Sequence, residues 1–206
     1  MRVRNTSLSL NVTRWSMRLA IPILFTAGVV LAEEQLLLNP SFEEPGWQEG
    51  QPSQLPEEWF TFSSDDQYRI RISRDVANEG DQSVRFTATG RANTFQGLSQ
   101  TIDVREGNVY EFAVHVWLDR EDERRGSLRG QLSVEWLNAR GEEITRTWGP
   151  VWTDESSPGF WNEISLTGMA PHGAERGVFV ITQFDTGDPE RPGTFHVDDA
   201  GVWELP

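Results

Sequence analysis

Polar and aromatic side chains alternate with apolar ones in several short stretches of this sequence. In VYEFAVHVWLD, residues 109–119, His115 and Trp117 fall on the face opposite the apolar side chains. A flat indole stacks on the C–H face of a sugar ring, and planar polar groups pair with its hydroxyls. If this stretch and two later ones are neighbouring strands, one sheet face carries the candidate ligand contacts Trp117, His115, Gln131, Glu135 and Gln183.

A second candidate for chemistry is the acidic turn in LLLNPSFEEPGW, residues 36–47, where an apolar run meets Glu43 and Glu44. One interpretation is an edge strand that ends in a solvated turn. The other is that one glutamate is held inside the fold for a metal.

The elements that would position these residues are short alternating strands. Gly, Pro, Asn and Asp clusters separate them, and no helical period persists. The predicted strands are QLLLN, EWFTFS, YRIRISR, QSVRFTA, LSQTIDV, VYEFAVHVWLD, GQLSVEWLN, WNEISLTGM, GVFVITQF and TFHVDDAGVWEL. About ten short strands at this spacing are typical of an all-β sandwich.

The face of each strand follows from its alternation. In GVFVITQF we predict that Val178, Val180 and Thr182 point into the core. Phe179, Ile181 and Gln183 would then lie outside, with the candidate ligand contacts. Among the tryptophans, Trp136, Trp161 and Trp203 are assigned to the core, and Trp117 remains open between core and ligand contact. Trp148 and Trp152 fall in a predicted loop, as either a cleft rim or a hydrophobic plug.

Residues 1–32 have the pattern of a secretory signal, and residues 33–206 form one predicted domain. The first part carries four arginines and no acid, and it ends in the apolar stretch LAIPILFTAGVVLA. Fourteen residues are short for a membrane span, which needs ~20. An uncleaved anchor is the alternative to a cleaved signal. We expect a secreted or periplasmic protein with no membrane span in the mature chain.

The charge balance restricts the partners. The chain has a net charge of −14, which becomes −18 once the four arginines of residues 1–32 are removed. Nucleic acid and anionic membranes need a basic footprint, so neither is an expected partner. The chain has no cysteine, so its fold must hold without disulfides. We expect a monomer.

Five segments in order resemble a known family. They are NPSFEEPGW, ANEGDQSVRF, QTIDVREGNVYEFAVHVW, GFWNEISLTGMAPHGAERGVFVI and GTFHVDDAGVWEL. Together they look like the family 4/9/22 group of carbohydrate-binding modules, which has the galactose-binding-like jelly-roll fold. The resemblance covers nearly all of residues 35–205. It implies a non-catalytic module that binds a polysaccharide or oligosaccharide, and it suggests that Tyr68 and Arg69 border the binding cleft.

The resemblance also implies a structural calcium ion beside the first and last strands. The ligands implied are the carboxylates of Glu43 and Asp198, the backbone carbonyl of Ser41, and Glu79 near the turn of residues 78–82. Calcium takes six to eight hard oxygen ligands, so a mixture of carboxylates and carbonyls suits it. Glu44 and Asp199 are expected to be solvated.

Two other classes of function remain open. A polysaccharide lyase or glycoside hydrolase needs a base or a carboxylate pair, yet no tyrosine, histidine or acid pair stands out. No nucleophile elbow, zinc motif or P-loop is present. A structural or protein-binding sandwich of the cell envelope is the other alternative, and burial of Trp117 under a loop would favour it.

Overall fold

The computed structural model describes residues 34–47, 54–65, 69–120 and 128–206. The predicted secretory signal and Tyr68 lie outside these ranges. Within them the chain forms ten strands and no helix. The strands are β1 Phe60–Ser63, β2 Ile70–Ser73, β3 Ser83–Thr87, β4 Phe95–Asp103, β5 Val109–Trp117, β6 Leu128–Leu137, β7 Glu143–Thr153, β8 Trp161–Met169, β9 Arg176–Asp185 and β10 Thr194–Leu205.

The strands form two five-stranded antiparallel sheets. Sheet A has the order β1-β4-β9-β6-β7, and sheet B has the order β2-β3-β10-β5-β8. Consecutive strands therefore often lie in different sheets, as in a jelly roll. The all-β sandwich expected from the alternating pattern is confirmed.

The core lies between the sheets because each strand alternates apolar and other side chains. Phe112, Val114 and Val116 of β5 point inward from sheet B, and Leu132 and Val134 of β6 point inward from sheet A. Aromatic rings join the two layers: Phe112 meets Phe179 with ring centroids 5.4 Å apart. Burial of this large aromatic and branched core is the main stabilising contribution in a chain without disulfides.

Two strand predictions are wrong. QLLLN is not a strand; this segment runs beside β10, and the Leu36 N–H donates to the Val202 carbonyl at 2.9 Å. Residues 143–153, predicted as loop, form β7 at the edge of sheet A. Gly149 and Pro150 interrupt the alternating pattern of β7, so the sequence does not predict a strand there. Both residues are tolerated in β7 because it is an edge strand.

No helix in the described part of the chain is long and apolar enough to cross a membrane.

Candidate functional site

The outer face of sheet A forms a cleft of about 610 Å³ that reaches all five of its strands. Its lining residues are Phe60, Phe62, Phe95, Ser99, Thr101, Glu135, Arg146, Trp148, Val178, Val180, Thr182 and Phe184. The register explains its shape. One row of paired residues across the sheet reads Phe60, Ser99, Val180, Ser133 and Trp148. Small side chains thus form the floor, and aromatic rings stand on the two edge strands.

Aromatic side chains at the rims are exposed to solvent. Phe60 is 69% exposed and Trp148 is 56% exposed, while Ser99 and Val180 on the floor are buried. Rings of this size are normally buried on folding, so their exposure around a concave surface makes this cleft the candidate binding site. The floor adds hydroxyl groups from Ser99 and Thr182 between the rings.

Glycine determines the depth of the floor at one point. Phe62 is paired with Gly97, and a Cβ on Gly97 would stand 2.3 Å from the Phe62 ring and 2.5 Å from the Ile181 carbonyl oxygen. No side chain fits in that space. The absence of a Cβ at residue 97 therefore lets the Phe62 ring lie flat against the sheet.

A cluster of three charged side chains lies beside Trp148. Nη2 of Arg146 is 2.6 Å from Oε1 of Glu135, its partner across β6 and β7. The same guanidinium donates from Nε and Nη2 to both carboxylate oxygens of Glu143, at 3.2 and 3.1 Å. Cζ of Arg146 also lies 5.0 Å from the centroid of the Trp148 ring, a cation–π contact.

The environment of this cluster shifts two of its pKa values. Burial raises the pKa of Glu135, the charge of Glu143 raises it further, and Arg146 opposes the shift. The pKa of Arg146 is raised because its hydrogen bond to Glu143 and its two acidic neighbours outweigh the effect of burial. Glu135 and Arg146 therefore lie in a partly desolvated part of the cleft.

The five predicted ligand contacts do not share a face. Gln131 and Glu135 lie on the outer face of sheet A, where the Gln131 side chain donates to the Gly149 carbonyl at 3.1 Å. Gln183 points into the protein interior, 1% exposed, accepting from Gln96 and donating to the Gly193 carbonyl. The orientation predicted for β9 is wrong: Phe179 and Ile181 are core residues, and Val178 and Val180 line the cleft.

His115 and Trp117 lie in sheet B, on the side of the sandwich away from the cleft. Trp117 is half-buried, and its ring centroid is 5.8 Å from that of Trp161. Its buried Nε1 has no hydrogen-bond partner among the residues that the structure describes. His115 lies between Glu163 and Asp199, at 3.8 and 3.5 Å. The prediction that these residues join Gln131 and Glu135 fails because β5 and β6, consecutive in sequence, belong to different sheets.

The remaining predicted contacts and tryptophans have varied positions. Arg69 is exposed just before β2 in sheet B, and its backbone N–H donates to Gln96 at 2.7 Å. Trp136 is in the core as predicted, whereas Trp161 and Trp203 are only half-buried. The two loop tryptophans divide: Trp152 is buried against Phe195, and Trp148 forms a cleft rim.

The predicted calcium ligands gather at the turn of residues 78–82. Oδ2 of Asp198 accepts the backbone N–H groups of Asn78 and Glu79, at 2.6 and 3.2 Å. Oε1 of Glu43 accepts those of Asp81 and Gln82, at 3.0 and 3.1 Å. Glu43, near the start of the described chain, and Asp198, in the last strand, are thus both hydrogen-bonded to one turn. Of the other two predicted ligands, the Glu79 side chain is exposed and Ser41 is half-buried.

The charge of Asp198 fits a cation at this turn. Its side chain is inaccessible to solvent, and burial raises its pKa to about 6, against three backbone N–H bonds that lower it. Those bonds satisfy the oxygens without neutralising the charge, and no basic side chain forms a salt bridge with Asp198 among the described residues. No group of three or more His, Asp or Glu side chains suited to a metal occurs in the described ranges. An ion would therefore need backbone carbonyls and water as further ligands.

The sequence reasoning missed most of the cleft residues. In EWFTFS, Phe60 and Phe62 alternate with Trp59, Thr61 and Ser63. This pattern indicates an aromatic side chain on each face of the strand and could have identified Phe60 and Phe62. Trp148 was named only as a possible rim, and Arg146 carried no signal. Their partners come from strands distant in sequence, so only the sheet order brings them together.

Several solved structures share this fold. The CBM22-1 xylan-binding domain of Paenibacillus barcinonensis Xyn10C is 16% identical with a TM-score of 0.55, over 84% of this chain and 96% of that one. The C-terminal family 22 carbohydrate binding module of Clostridium thermocellum Xyn10B is 18% identical with a TM-score of 0.52, over 83% of this chain and 92% of that one. TmCBM61, solved with β-1,4-galactotriose, is 15% identical with a TM-score of 0.52, over 84% of this chain and 99% of that one.

Another similar structure is the enzymatically active domain of Bacteriophage CBA120 tailspike protein 4, with 14% identity and a TM-score of 0.54. The match covers 72% of this chain but only 20% of the tailspike chain. No family profile and no curated protein sequence matches this chain. At these identities the likeness establishes the fold: a β-sandwich jelly roll of the kind found in carbohydrate-binding modules.

Proposed function

We propose that this protein is an exported, non-catalytic carbohydrate-binding module that holds a polysaccharide or oligosaccharide in the cleft of sheet A. The observation that carries the proposal is the pair of exposed aromatic rims, Phe60 and Trp148, on either side of a floor with hydroxyl groups. Aromatic rings stack on sugar rings, and hydroxyls and planar polar groups fix their orientation. The similar xylan-binding domain and the similar module solved with β-1,4-galactotriose support the same class of ligand.

The charged cluster favours binding over hydrolysis. A glycosidase needs one carboxyl group free to donate a proton and a second free to act as base or nucleophile. In this cleft Glu135 and Glu143 both bind the same guanidinium. Neither carboxylate is therefore poised for proton transfer to a glycosidic oxygen.

The test compares glycan binding by variants at the two faces of the sandwich. Isothermal titration against xylohexaose, β-1,4-galactotriose and a wider glycan panel measures the affinity of the wild type and of Trp148→Ala. Loss of a stacking ring costs on the order of 1–2 kcal/mol, so Trp148→Ala should weaken binding about tenfold or more. Trp47→Ala is the matched control, because Trp47 is 42% exposed and lies outside the cleft.

The outcomes separate the alternatives. Retained binding in Trp148→Ala with loss of binding in Trp117→Ala would place the ligand on the outer face of sheet B. Trp117, a ligand contact suggested by the sequence, lies in that sheet. Absence of binding to every glycan would favour a structural or protein-binding role in the cell envelope. Half-burial of Trp117 is the observation that keeps this second role in view.

We also propose that a structural calcium ion binds at the turn of residues 78–82, held by Glu43 and Asp198 together with carbonyl oxygens such as that of Ser41. The ion would neutralise the buried charge of Asp198. It would also add a link between the ends of a chain that has no disulfide.

Thermal unfolding of the full chain in EDTA and in excess Ca²⁺ tests the calcium site. Because an ion that binds only the folded state stabilises it, Ca²⁺ should raise the melting temperature by several degrees. Glu43→Ala should remove most of this increase. Glu44→Ala is the control, since the neighbouring Glu44 is exposed and should keep it. Identical wild-type melting curves in EDTA and Ca²⁺ would reject the site.

A further inference from the structure

We infer that the cluster of Glu135, Arg146 and Glu143 makes the cleft select uncharged glycan segments and reject acidic ones. The inference rests on the proposed function and deepens it by naming the class of ligand and the residues that determine it.

The first step is that the guanidinium of Arg146 is already fully engaged on its binding edge. Nε and Nη2, one of the two donor pairs that can clasp a carboxylate, both bind Glu143. The other pair, Nη1 and Nη2, also needs Nη2, whose second N–H is directed at Glu135. The face of the guanidinium is covered by Trp148. An arginine in a sugar-binding cleft would normally attract a uronate, because its fork matches a carboxylate. In this cleft that fork is unavailable to a ligand.

The second step is the charge that remains. Two carboxylates around one guanidinium leave this end of the cleft with one net negative charge. The Glu135 and Arg146 side chains are only 25% and 29% exposed, so solvent screens that charge incompletely. A uronate placed on the Trp148 ring would bring a third carboxylate to the same point. Like charges in a partly desolvated site repel, and such repulsion is how binding sites exclude unwanted partners.

The third step is that the other arginines on this face do not compensate. Arg176, at the start of β9, lies on the same face as Val178, but its partner across the sheet is Asp103, whose opposite charge offsets it. Arg129 lies at the opposite end of β6, where its guanidinium is 5.1 Å from the centroid of the Phe184 ring. Six residues of strand separate it from Glu135, which corresponds to about 20 Å. That separation exceeds the Debye length of about 8 Å at physiological ionic strength. Arg129 therefore serves as a matched control for loss of a charged side chain from the same face.

The experiment measures affinities for two pairs of probes that match ring for ring. The pairs are cellohexaose with the β-1,4-linked glucuronate hexamer, and β-1,4-galactotriose with its C6-oxidised counterpart. In the fully acidic probes every ring carries a carboxylate, so no register avoids the cluster. The proteins are the full chain as wild type, Glu135→Gln/Glu143→Gln, Glu143→Gln alone, and Arg129→Gln.

The wild type should bind the neutral member of a pair at least about tenfold tighter than the acidic member. The double variant, which removes both negative charges beside Arg146, should reduce this ratio to about threefold or less. Arg129→Gln should keep the wild-type ratio. Glu143→Gln alone should give an intermediate ratio. Because Glu143 is more exposed than Glu135, this single variant replaces the double variant in the test if circular dichroism shows that the double variant is unfolded.

Each remaining outcome has one meaning. Equal affinity of the wild type for both members, or an unchanged ratio in a folded double or single variant, overturns the inference and leaves the proposed function standing. Absence of binding to all four probes and to the glycan panel rejects the proposed function and the inference together.

Discussion

Single residues in the cleft act through their partners more than through their own chemistry. Arg146 would be a carboxylate receptor if it stood alone, but Glu135 and Glu143 turn it into a support for the Trp148 ring. The sequence places Glu143 three residues before Arg146, and that spacing alone does not reveal the contact with Glu135 across the sheet. The sequence therefore identifies Glu135 as a candidate residue but does not show its role.

The raised pKa of Glu135 gives the selectivity a pH dependence. Protonation removes the carboxylate charge, and the raised pKa means that this happens at a higher pH than for a solvated glutamate. As the pH falls from neutral toward 4.5, the ordinary glutamate value, the wild-type preference for the neutral probe should therefore weaken. Solvated uronates titrate lower, so the probes stay charged over this range.

The measurement is the affinity ratio of the matched probes at both pH values. Glu135→Gln cannot titrate at this position, so its ratio should change less than that of the wild type. A wild-type ratio that is the same at both pH values would contradict the prediction. Because the folded-state pKa is raised, ionisation of Glu135 also lowers folding stability as the pH rises through that pKa, and the glutamine variant should lack this loss.

Strands with two apolar faces explain where the sequence prediction failed. In β9, Val178 and Val180 alternate with Phe179 and Ile181, so period-two alternation defines two faces without identifying the inner one. The cleft face is itself apolar, and the larger rings take the core. In β5, one face is strongly apolar, and its inner residues, such as Phe112, were predicted correctly.

Sheet order is the part of the fold that local patterns do not contain. Nine of the ten strands corresponded to predicted segments, because alternation and turn residues are local signals. The pairing of β6 with β9 and of β4 with β9 depends on packing between residues far apart in the chain. The candidate site depended on that order, so its predicted residues were divided between two sheets.

The pairing of β6 with β7 depends on a glycine, which gives a test of the edge strand. Gly130 is opposite Trp152, and a Cβ on Gly130 would stand 2.0 Å from the buried Trp152 ring. Gly130→Ala should therefore lower the free energy of unfolding by on the order of 1–3 kcal/mol, as overpacking does in other cores.

Chemical denaturation measures this change. Gly46→Ala is the matched control, since a Cβ on Gly46 would meet no atom of the described residues within 4 Å. A Gly130→Ala protein as stable as the wild type would mean that the Trp152 ring moves without cost and that β7 is not fixed by this contact.

At the scale of the whole molecule, the two proposed sites belong to different layers. The cleft is on sheet A, and the turn that binds Glu43 and Asp198 lies against β10 of sheet B. Removing the ion should therefore change stability without changing the set of glycans bound. The net charge of −14 adds a general repulsion of acidic polymers to the local one in the cleft.

The N-terminal segment is fastened to the last strand by hydrogen bonds at Gln35 and Leu36. The Gln35 side chain bonds the backbone of both Ala200 and Val202, and the Leu36 N–H bonds the Val202 carbonyl. If residues before Gln35 were attached to a surface while the cleft held a glycan under load, tension would act on these few bonds before it reached either sheet. This N-terminal segment would detach from β10 first. The cleft would keep its shape while the detached segment extended.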